Sequence, residues 1–289
     1  MKGLSLFLIV LALAPLFLDA YWLRVISSAL FLSLLAYAFN LVFHYTNYAP
    51  FGGVAFFGLG AYTFALSVEK GLGYVPAFSS SILIPLIFAL FVSPVLMRLK
   101  GHYFAIGTLA LQVMLMELTE SLEFTGGTKG IVLPLGIPSL LSYYLFFSLL
   151  VLCVLCVFSV ERSRLRLIYY MLRSDELGAR SVGVNVVLYR VLSLVVSSVF
   201  LGLTGSAFAL WQGYIDAHTV YSPLLSVKAF LVLVLSSHFP LSGPLFTSFL
   251  LELIFEALWS KSPELHGLFM GLALVLLILV FPRGLRWKS

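Results

Sequence analysis

Long apolar runs, separated by short polar stretches, follow one another along nearly the whole chain. Runs of about 18 residues or more are long enough to cross the hydrocarbon core of a bilayer as a helix. A closed β-barrel would need strands of alternating polarity, whereas the run at 143–160 is apolar without interruption. The pattern therefore predicts an all-α fold, a polytopic bundle of transmembrane helices.

Charged residues, prolines and glycines mark the limits of about ten predicted spans. These spans cover residues 4–18, 22–43, 51–68, 78–97, 103–121, 140–160, 191–212, 223–237, 244–259 and 268–281. The first run follows Lys2 and resembles a secretory signal, but Pro15 lies directly after the small residues that would mark a cleavage site. We expect this run to be a retained helix.

Composition supports a membrane location and argues against nucleic-acid binding. Hydrophobic residues make up 61% of the 289 residues and charged residues 10%, where a soluble domain would have about a quarter charged residues. The net charge of +5 comes from basic residues at the ends of apolar runs, which indicates topology signals. Cys153 and Cys156 lie within one such run, and we interpret them as packing residues.

The distribution of lysine and arginine predicts the orientation of the chain in the membrane. If the N-terminus is cytoplasmic, the inside segments hold 12 of the 17 basic residues and the outside segments hold four, while Lys228 falls within a span. Basic residues are enriched in cytoplasmic segments. We therefore expect an even number of spans, with both termini on the cytoplasmic side of the cell inner (plasma) membrane.

The longest hydrophilic stretch, about 161–190, is predicted to be a cytoplasmic loop within a single domain covering 1–289. Ser174 can cap a short helix over 175–182, and Gly183 can end it. Such a helix, about 12 Å long, could sit in a groove of a partner protein and transmit its movement to the spans. A plain solvated loop is the alternative.

Five motifs give the chain a resemblance to a known family. They are LRSDELGARSVGVNVVLYR, AFFGLGAY at 55–62, LKGHYFAIGTLAL at 99–111, TGGTKGI at 125–131 and FPRGL at 281–285. In this order and spacing the motifs resemble the LivM-type permease subunits of branched-chain amino acid ABC transporters. The urea and amide ABC permeases belong to the same superfamily.

The resemblance implies a permease subunit of an ATP-binding-cassette importer that translocates branched-chain amino acids or a related small polar solute. It also implies four kinds of partner: a second homologous permease subunit, two cytoplasmic ATPase subunits, an external solute-binding protein and membrane lipid. The expected ATPase-coupling residues are Asp175, Glu176, Gly178, Ala179, Arg180, Gly183 and Asn185. No G-x-x-x-x-G-K-[ST] phosphate loop occurs, so we expect a non-enzyme that binds no cofactor, with ATP bound by its partners.

The resemblance also indicates where the translocation path runs. Its candidate residues are Phe56, Phe57, Gly58, Gly60, Tyr62 and Lys228. Glycines in a span permit either close helix packing or a break beside a path. A lysine within a span either serves the path or extends its amine to the headgroups, and we favour the second role for Lys228.

A secondary transporter driven by an ion gradient is the alternative function. Glu252, Glu256 or Lys228 would then be the coupling groups, because ionisable residues inside a membrane mark ion pathways. A membrane-embedded enzyme is a further alternative, but the sequence contains no catalytic constellation or H-E-x-x-H metal motif that would support it.

Overall fold

The protein is described by a computed structural model that covers residues 2–99, 101–133, 138–236, 239–261 and the isolated Gly271. Its architecture is a helical bundle, as predicted. The α-helices, in chain order, are α1 (Lys2–Leu13), α2 (Ala20–Thr46), α3 (Val54–Glu69), α4 (Tyr74–Leu96), α5 (His102–Ser121), α6 (Ser139–Arg162), α7 (Leu165–Ser174), α8 (Glu176–Ser181), α9 (Val186–Gln212), α10 (Ala217–Val220), α11 (Pro223–Ser236) and α12 (Gly243–Lys261).

Within the described residues, five helical segments are long and apolar enough to cross a membrane, namely α2, α4, α6, α9 and the combined segment Ala217–Ser236. A sixth is added if α5 and the 3₁₀ turns that follow it, which are bent by 95° relative to it, form one span. Two shorter apolar helices occur at Gly3–Leu16 and Val54–Glu69. The predicted span at 268–281, apart from Gly271, and the motif at 281–285 lie outside the described residues. The structure thus supports a multi-pass helical membrane protein with five or six candidate spans.

Helix α3 occupies the centre of the bundle. It is 16 residues long, about 24 Å, and packs against α4, α5, α9 and α11. Phe56, Phe57 and Phe64 on this helix are almost completely buried. A helix enclosed by other helices is apolar on every side, as a buried helix should be.

Glycines allow α3, α4 and α9 to cross at short distance. A Cβ atom added to Gly60 would lie 2.3 Å from the Cα atom of Gly202, and one added to Gly202 would lie 2.2 Å from the carbonyl oxygen of Ser81. Pro85 has no N–H to donate to that carbonyl four residues earlier. The backbone of α9 therefore packs against the point where α4 lacks a helical hydrogen bond.

The ends of the helices assemble into two opposite regions. At one end, defined here as the polar-loop end, the hydroxyl of Tyr45 donates to Glu161 over 3.0 Å and joins the end of α2 to the end of α6. At the other end, the strand end, β1 (Ile131–Val132) pairs antiparallel with β2 (Tyr214–Ile215), with Ile131 opposite Ile215. Helix α9, 27 residues and about 40 Å long, connects the two ends.

Candidate functional site

Helix α8 lies at the polar-loop end and is the short helix predicted from the sequence. Its N-cap is Asp175, one residue later than predicted, because the carboxylate of Asp175 accepts a hydrogen bond of 3.0 Å from the backbone N–H of Leu177. Ser174 is instead the last residue of α7. Gly183 has φ of +85° and ends the turn, as predicted. Asn185 caps the next helix, α9, by accepting from the N–H of Leu188.

Glu176 points into the protein and is bound by two arginines. Its carboxylate accepts from Nη2 of Arg180 over 2.7 Å and from both Nη atoms of Arg190 over 2.9 and 3.4 Å. The Arg190 side chain is 6% exposed, whereas that of Arg180 is 53% exposed. Burial raises the pKa of Glu176, but the hydrogen bonds and charges of Arg190 and Arg180 outweigh it and hold the pKa below its usual value.

The guanidinium of Arg190 also stacks on an aromatic ring. Its central carbon lies 4.2 Å from the centroid of Tyr48, which belongs to the segment between α2 and α3. The Tyr48 ring contacts Phe104 of α5 edge-on, with 4.9 Å between the centroids. A single buried arginine therefore contacts α8 and the joint between α2, α3 and α5.

The remaining inward contacts of α8 are apolar. Ala179 is buried in a small cluster with Leu172 of α7 and Val186 of α9. A Cβ atom on Gly178 would lie 2.7 Å from a carboxylate oxygen of Asp175, so glycine at this position leaves room for the cap. These residues hold α8 in place.

The opposite side of α8, named here its outer face, is formed by Leu177, Arg180, Ser181 and Val182. Leu177 is 77% exposed and Val182 is 67% exposed. Exposed apolar side chains beside a charge are suited to contact with another protein. Among the predicted coupling residues, Arg180 belongs to this face, whereas Glu176 and Ala179 face inwards.

Helix α7 was not predicted, because its region is expected from the sequence to be part of a polar loop. Leu165, Ile168, Tyr169 and Leu172 recur at helical spacing and face the protein, which is the signal that could have identified the helix. Tyr169 accepts from the hydroxyl of Ser193 in α9 over 2.9 Å. Arg173 donates to the carbonyl oxygen of His44 in α2 over 3.2 Å.

The aromatic and glycine residues predicted to line the path are brought together around α3. The Phe57 ring packs against Phe31 and Phe208, and the Phe56 ring packs against Phe88. A Cβ atom on Gly58 would lie 2.2 Å from the ring of Tyr221, so this glycine accommodates an aromatic side chain. These contacts support the packing interpretation of the glycines.

Tyr62 shares this region but has an unusual hydroxyl. Its ring stacks on that of Tyr221 with an interplanar angle of 11°. The hydroxyl is buried and has no hydrogen-bond partner among the described residues. An unpaired buried hydroxyl is unfavourable by about 1–3 kcal/mol. Among the path candidates on α3, Tyr62 is therefore the one with a polar side-chain group to offer.

Gln112 forms an internal polar connection that sequence reasoning missed. Its side-chain amide donates to the carbonyl oxygen of Tyr221 over 2.8 Å and accepts from the hydroxyl of Ser226 over 2.9 Å. Tyr221 lies between α10 and α11, where the segment Ala217–Ser236 is broken. A lone glutamine in the apolar run at 103–121 was the available signal, since a buried amide needs polar partners.

Lys228 of α11 contacts an aromatic side chain of α12. Its ammonium is 5.1 Å from the ring centroid of Phe255 in α12, and no carboxylate of the described residues forms a salt bridge with it. Glu252 and Glu256 of α12 accept hydrogen bonds from Ser28 and Tyr21 of α2, the latter over 2.8 Å. These contacts tie α2, α11 and α12 together.

Comparison with known proteins identifies similar chains. The profile of a family described as the permease component of branched-chain amino acid transport systems matches residues 21–279. The chain is 26% identical to the high-affinity branched-chain amino acid transport system permease protein LivM of Salmonella typhimurium strain LT2, over 87% of this chain and 67% of the relative. It has the same identity and coverage with the LivM protein of Escherichia coli strain K12. No solved structure matches.

Proposed function

Because the chain belongs to the family of permease components of branched-chain amino acid transport systems, we propose that it is the membrane-spanning subunit of an ATP-driven importer. Its solute is a branched-chain amino acid or a related small polar molecule such as urea or a short amide. The subunit provides half of an alternating-access path and binds no ATP itself. The energy comes from two ATPase subunits on its cytoplasmic side.

The observation that carries this proposal is the construction of α8. The helix is capped at its start, fixed to the bundle through Glu176 and Ala179, and exposed on its outer face at Leu177 and Val182. A rigid helix with one anchored side and one free apolar side can bind a partner and transmit the movement of that partner. We assign the outer face of α8 to an ATPase subunit.

The other partners follow from the same proposal. A second permease subunit completes the path, and an external solute-binding protein delivers the solute at the strand end. In the proposed orientation, both termini and the polar-loop end lie in the cytoplasm. The permease lies in the inner membrane, and the complete bundle has about ten spans. Tyr62, on this view, lies beside the path and meets the solute or its hydration water.

The test is purification of the tagged chain in mild detergent from its native membrane, followed by mass spectrometry and by uptake in reconstituted vesicles. We expect a second permease and two ATPases to co-purify, and we expect labelled leucine, isoleucine or valine to enter only with ATP and a binding protein. A chain that purifies alone and drives uptake with a proton gradient would contradict the importer and favour the ion-coupled alternative. Uptake of urea or an amide in place of leucine would change only the solute.

A further inference from the structure

Two kinds of contact fix α8 to the bundle, and they resist movement differently. The apolar contact of Ala179 with Leu172 and Val186 keeps α8 close to its neighbours. Apolar contacts are non-directional, so they permit small sliding motions. The paired hydrogen bonds between Glu176 and Arg190 have fixed geometry and therefore define the position of α8 relative to α9.

Arg190 is placed to pass a displacement of α8 to several elements. It is the fifth residue of α9, whose helix packs against α2, α3 and α4. Its guanidinium lies between the carboxylate of Glu176 and the ring of Tyr48. Through Tyr48 and Phe104 the contact continues to the start of α5.

Arg180 offers an internal comparison because it binds the same carboxylate. It lies four residues after Glu176 on the same short helix and is half exposed. A pair within one helix stabilises that helix but moves with it as a unit. Of the two ion pairs of Glu176, the pair with Arg190 is the one that joins α8 to another helix.

We propose that Arg190 is the residue through which movement of α8 is transmitted to the membrane-spanning helices. The inference rests on the proposed function, in which an ATPase subunit moves α8. Arg190 makes no contact with the ATPase or the solute in this proposal; it is a positioning residue that holds Glu176 and Tyr48 in one connection. Glu176 serves the same connection from α8, while contact with the partner is made by the outer face.

The proposal is tested in the complete importer, with both permeases, the ATPases and the binding protein reconstituted in vesicles. The variants are Arg190→Gln, Arg190→Lys, Glu176→Gln and the double variant Glu176→Gln with Arg190→Gln. The matched control is Arg166→Gln, which removes an arginine of α7 that pairs with Glu161 of α6 outside α8. The quantities measured are subunit stoichiometry, ATP hydrolysis and the number of solute molecules imported per ATP hydrolysed.

For Arg190→Gln we expect the assembled complex to hydrolyse ATP while import per ATP falls about tenfold, in the range of typical coupling energies. Arg166→Gln should change import per ATP by less than about twofold, since the Arg166 side chain is 69% exposed and exposed ion pairs contribute little. Arg190→Lys should recover part of the import, because it keeps the charge. The double variant should be no worse than the more severe single variant, because both residues belong to one connection.

Equal losses for Arg190→Gln and Arg166→Gln would overturn the proposal, as would losses of import and hydrolysis in the same proportion. If the complex with Arg190→Gln failed to assemble, Arg190→Lys and Glu176→Gln would test the proposal instead. Unchanged import per ATP in both of these variants would refute the connection. Failure of the proposed function has a different signature: the unmodified complex would then show no ATP-driven import.

Discussion

At the scale of single residues, the ion pair between Glu176 and Arg190 is asymmetric. Removal of the Glu176 charge leaves a guanidinium with a 6% exposed side chain and no carboxylate partner, and breaking a buried pair in this way costs about 3–5 kcal/mol. Removal of the Arg190 charge leaves a carboxylate that still has Arg180 and partial access to solvent. Arg190 thus depends more on Glu176 than Glu176 depends on Arg190, although the contact of Arg190 with the Tyr48 ring remains.

The first prediction concerns the pH dependence of this pair. The pKa of Glu176 is lowered in the folded protein, so its contribution is present above the unfolded value of about 4.3 and is lost as pH falls through the folded value. We expect the backbone amides of α8 to keep constant protection between about pH 8 and 5 and to lose it only at more acidic pH. Hydrogen exchange followed by mass spectrometry, corrected for the intrinsic exchange rate, measures this.

Glu176→Gln is the control for the pH experiment. In that variant the protection of α8 should be lower throughout and should lack the loss expected below about pH 5 in the original chain, since the titrating carboxyl group is absent. Loss of protection in the original chain near neutral pH would contradict a lowered pKa at Glu176.

The second prediction concerns Lys228. Its ammonium faces Phe255 of α12, whereas the candidate path residues Phe56 and Phe57 pack against other aromatic rings around α3. We therefore expect Lys228→Met to leave ATP-driven uptake within about twofold of the original value, with a small loss of stability from the missing cation–π contact of about 0.5–2 kcal/mol. Initial uptake rates in vesicles containing matched amounts of complex measure the first effect.

Phe255→Leu is the matched change for Lys228, because it removes the aromatic partner and keeps the cation. It should lower stability to a similar extent and leave uptake equally unaffected. A tenfold loss of uptake in Lys228→Met without a loss of assembled complex would instead assign Lys228 to the path.

At the scale of elements, the crossing of α3 and α9 depends on two backbones that touch. Gly60 faces Gly202, and Gly205 faces the carbonyl oxygen of Phe57, so both helices present glycine where they meet. Small residues at such crossings allow van der Waals contact over a long stretch of backbone, which is a main source of association between helices in membranes.

The third prediction follows from this crossing. Gly60→Ala should lower the melting temperature of the protein, because the new methyl group would lie 2.3 Å from the backbone of Gly202 and backbone atoms cannot move aside as a side chain can. Overpacking of this kind costs about 1–3 kcal/mol. Heating in detergent followed by size-exclusion chromatography gives the melting temperature.

Gly3→Ala provides the control, because a Cβ atom at Gly3 in α1 meets no atom within 4 Å. Alanine has the higher helix propensity in both positions, so propensity alone would stabilise both variants. Equal melting temperatures for the two variants would show that the crossing tolerates a methyl group.

The helices themselves were largely predictable, and the failures have physical causes. Apolar runs identified α2, α4, α5 and α6 because a bilayer requires length and continuous apolarity. The charge of Arg190 predicts that this span starts at residue 191, whereas α9 starts at Val186 and includes Arg190. Arg190 is instead buried because Glu176, fourteen residues earlier, neutralises it.

The candidate site was predictable only in part, for a related reason. A capping pattern predicted α8, because the residues that start and end a helix act through local backbone geometry. Gly183 ends the turn as predicted, whereas the N-cap is Asp175 and not Ser174. The direction in which Glu176 points depends on a partner in another element, which no local pattern encodes. The same applies to Tyr48, whose ring receives the guanidinium of Arg190.

At the scale of the whole molecule, α9 is long and apolar enough to carry the two ends of the bundle to opposite sides of a membrane. Helix α9 starts beside α8 at the polar-loop end and finishes beside β2 at the strand end. Residues 161–190 carry six arginines and no lysine, and such a concentration of basic charge predicts a cytoplasmic location. Orientation of the entire chain therefore follows from the side on which α8 is found.

The fourth prediction is that single cysteines at the two ends are labelled from opposite sides. In a chain whose native cysteines are replaced, Leu177→Cys on the outer face of α8 should react with a membrane-impermeant maleimide only in inside-out vesicles. Thr128 is exposed in a 3₁₀ turn at the strand end, and Thr128→Cys should react only in spheroplasts, whose inner membrane is intact and faces outwards. A control chain that retains native Cys153, which is buried in α6, should react in neither preparation.

Reversed labelling would place α8 outside the cell, where no ATPase could reach it, and would exclude ATP-driven coupling through its outer face. Labelling of both sites from the same side would contradict the path of α9 across the membrane.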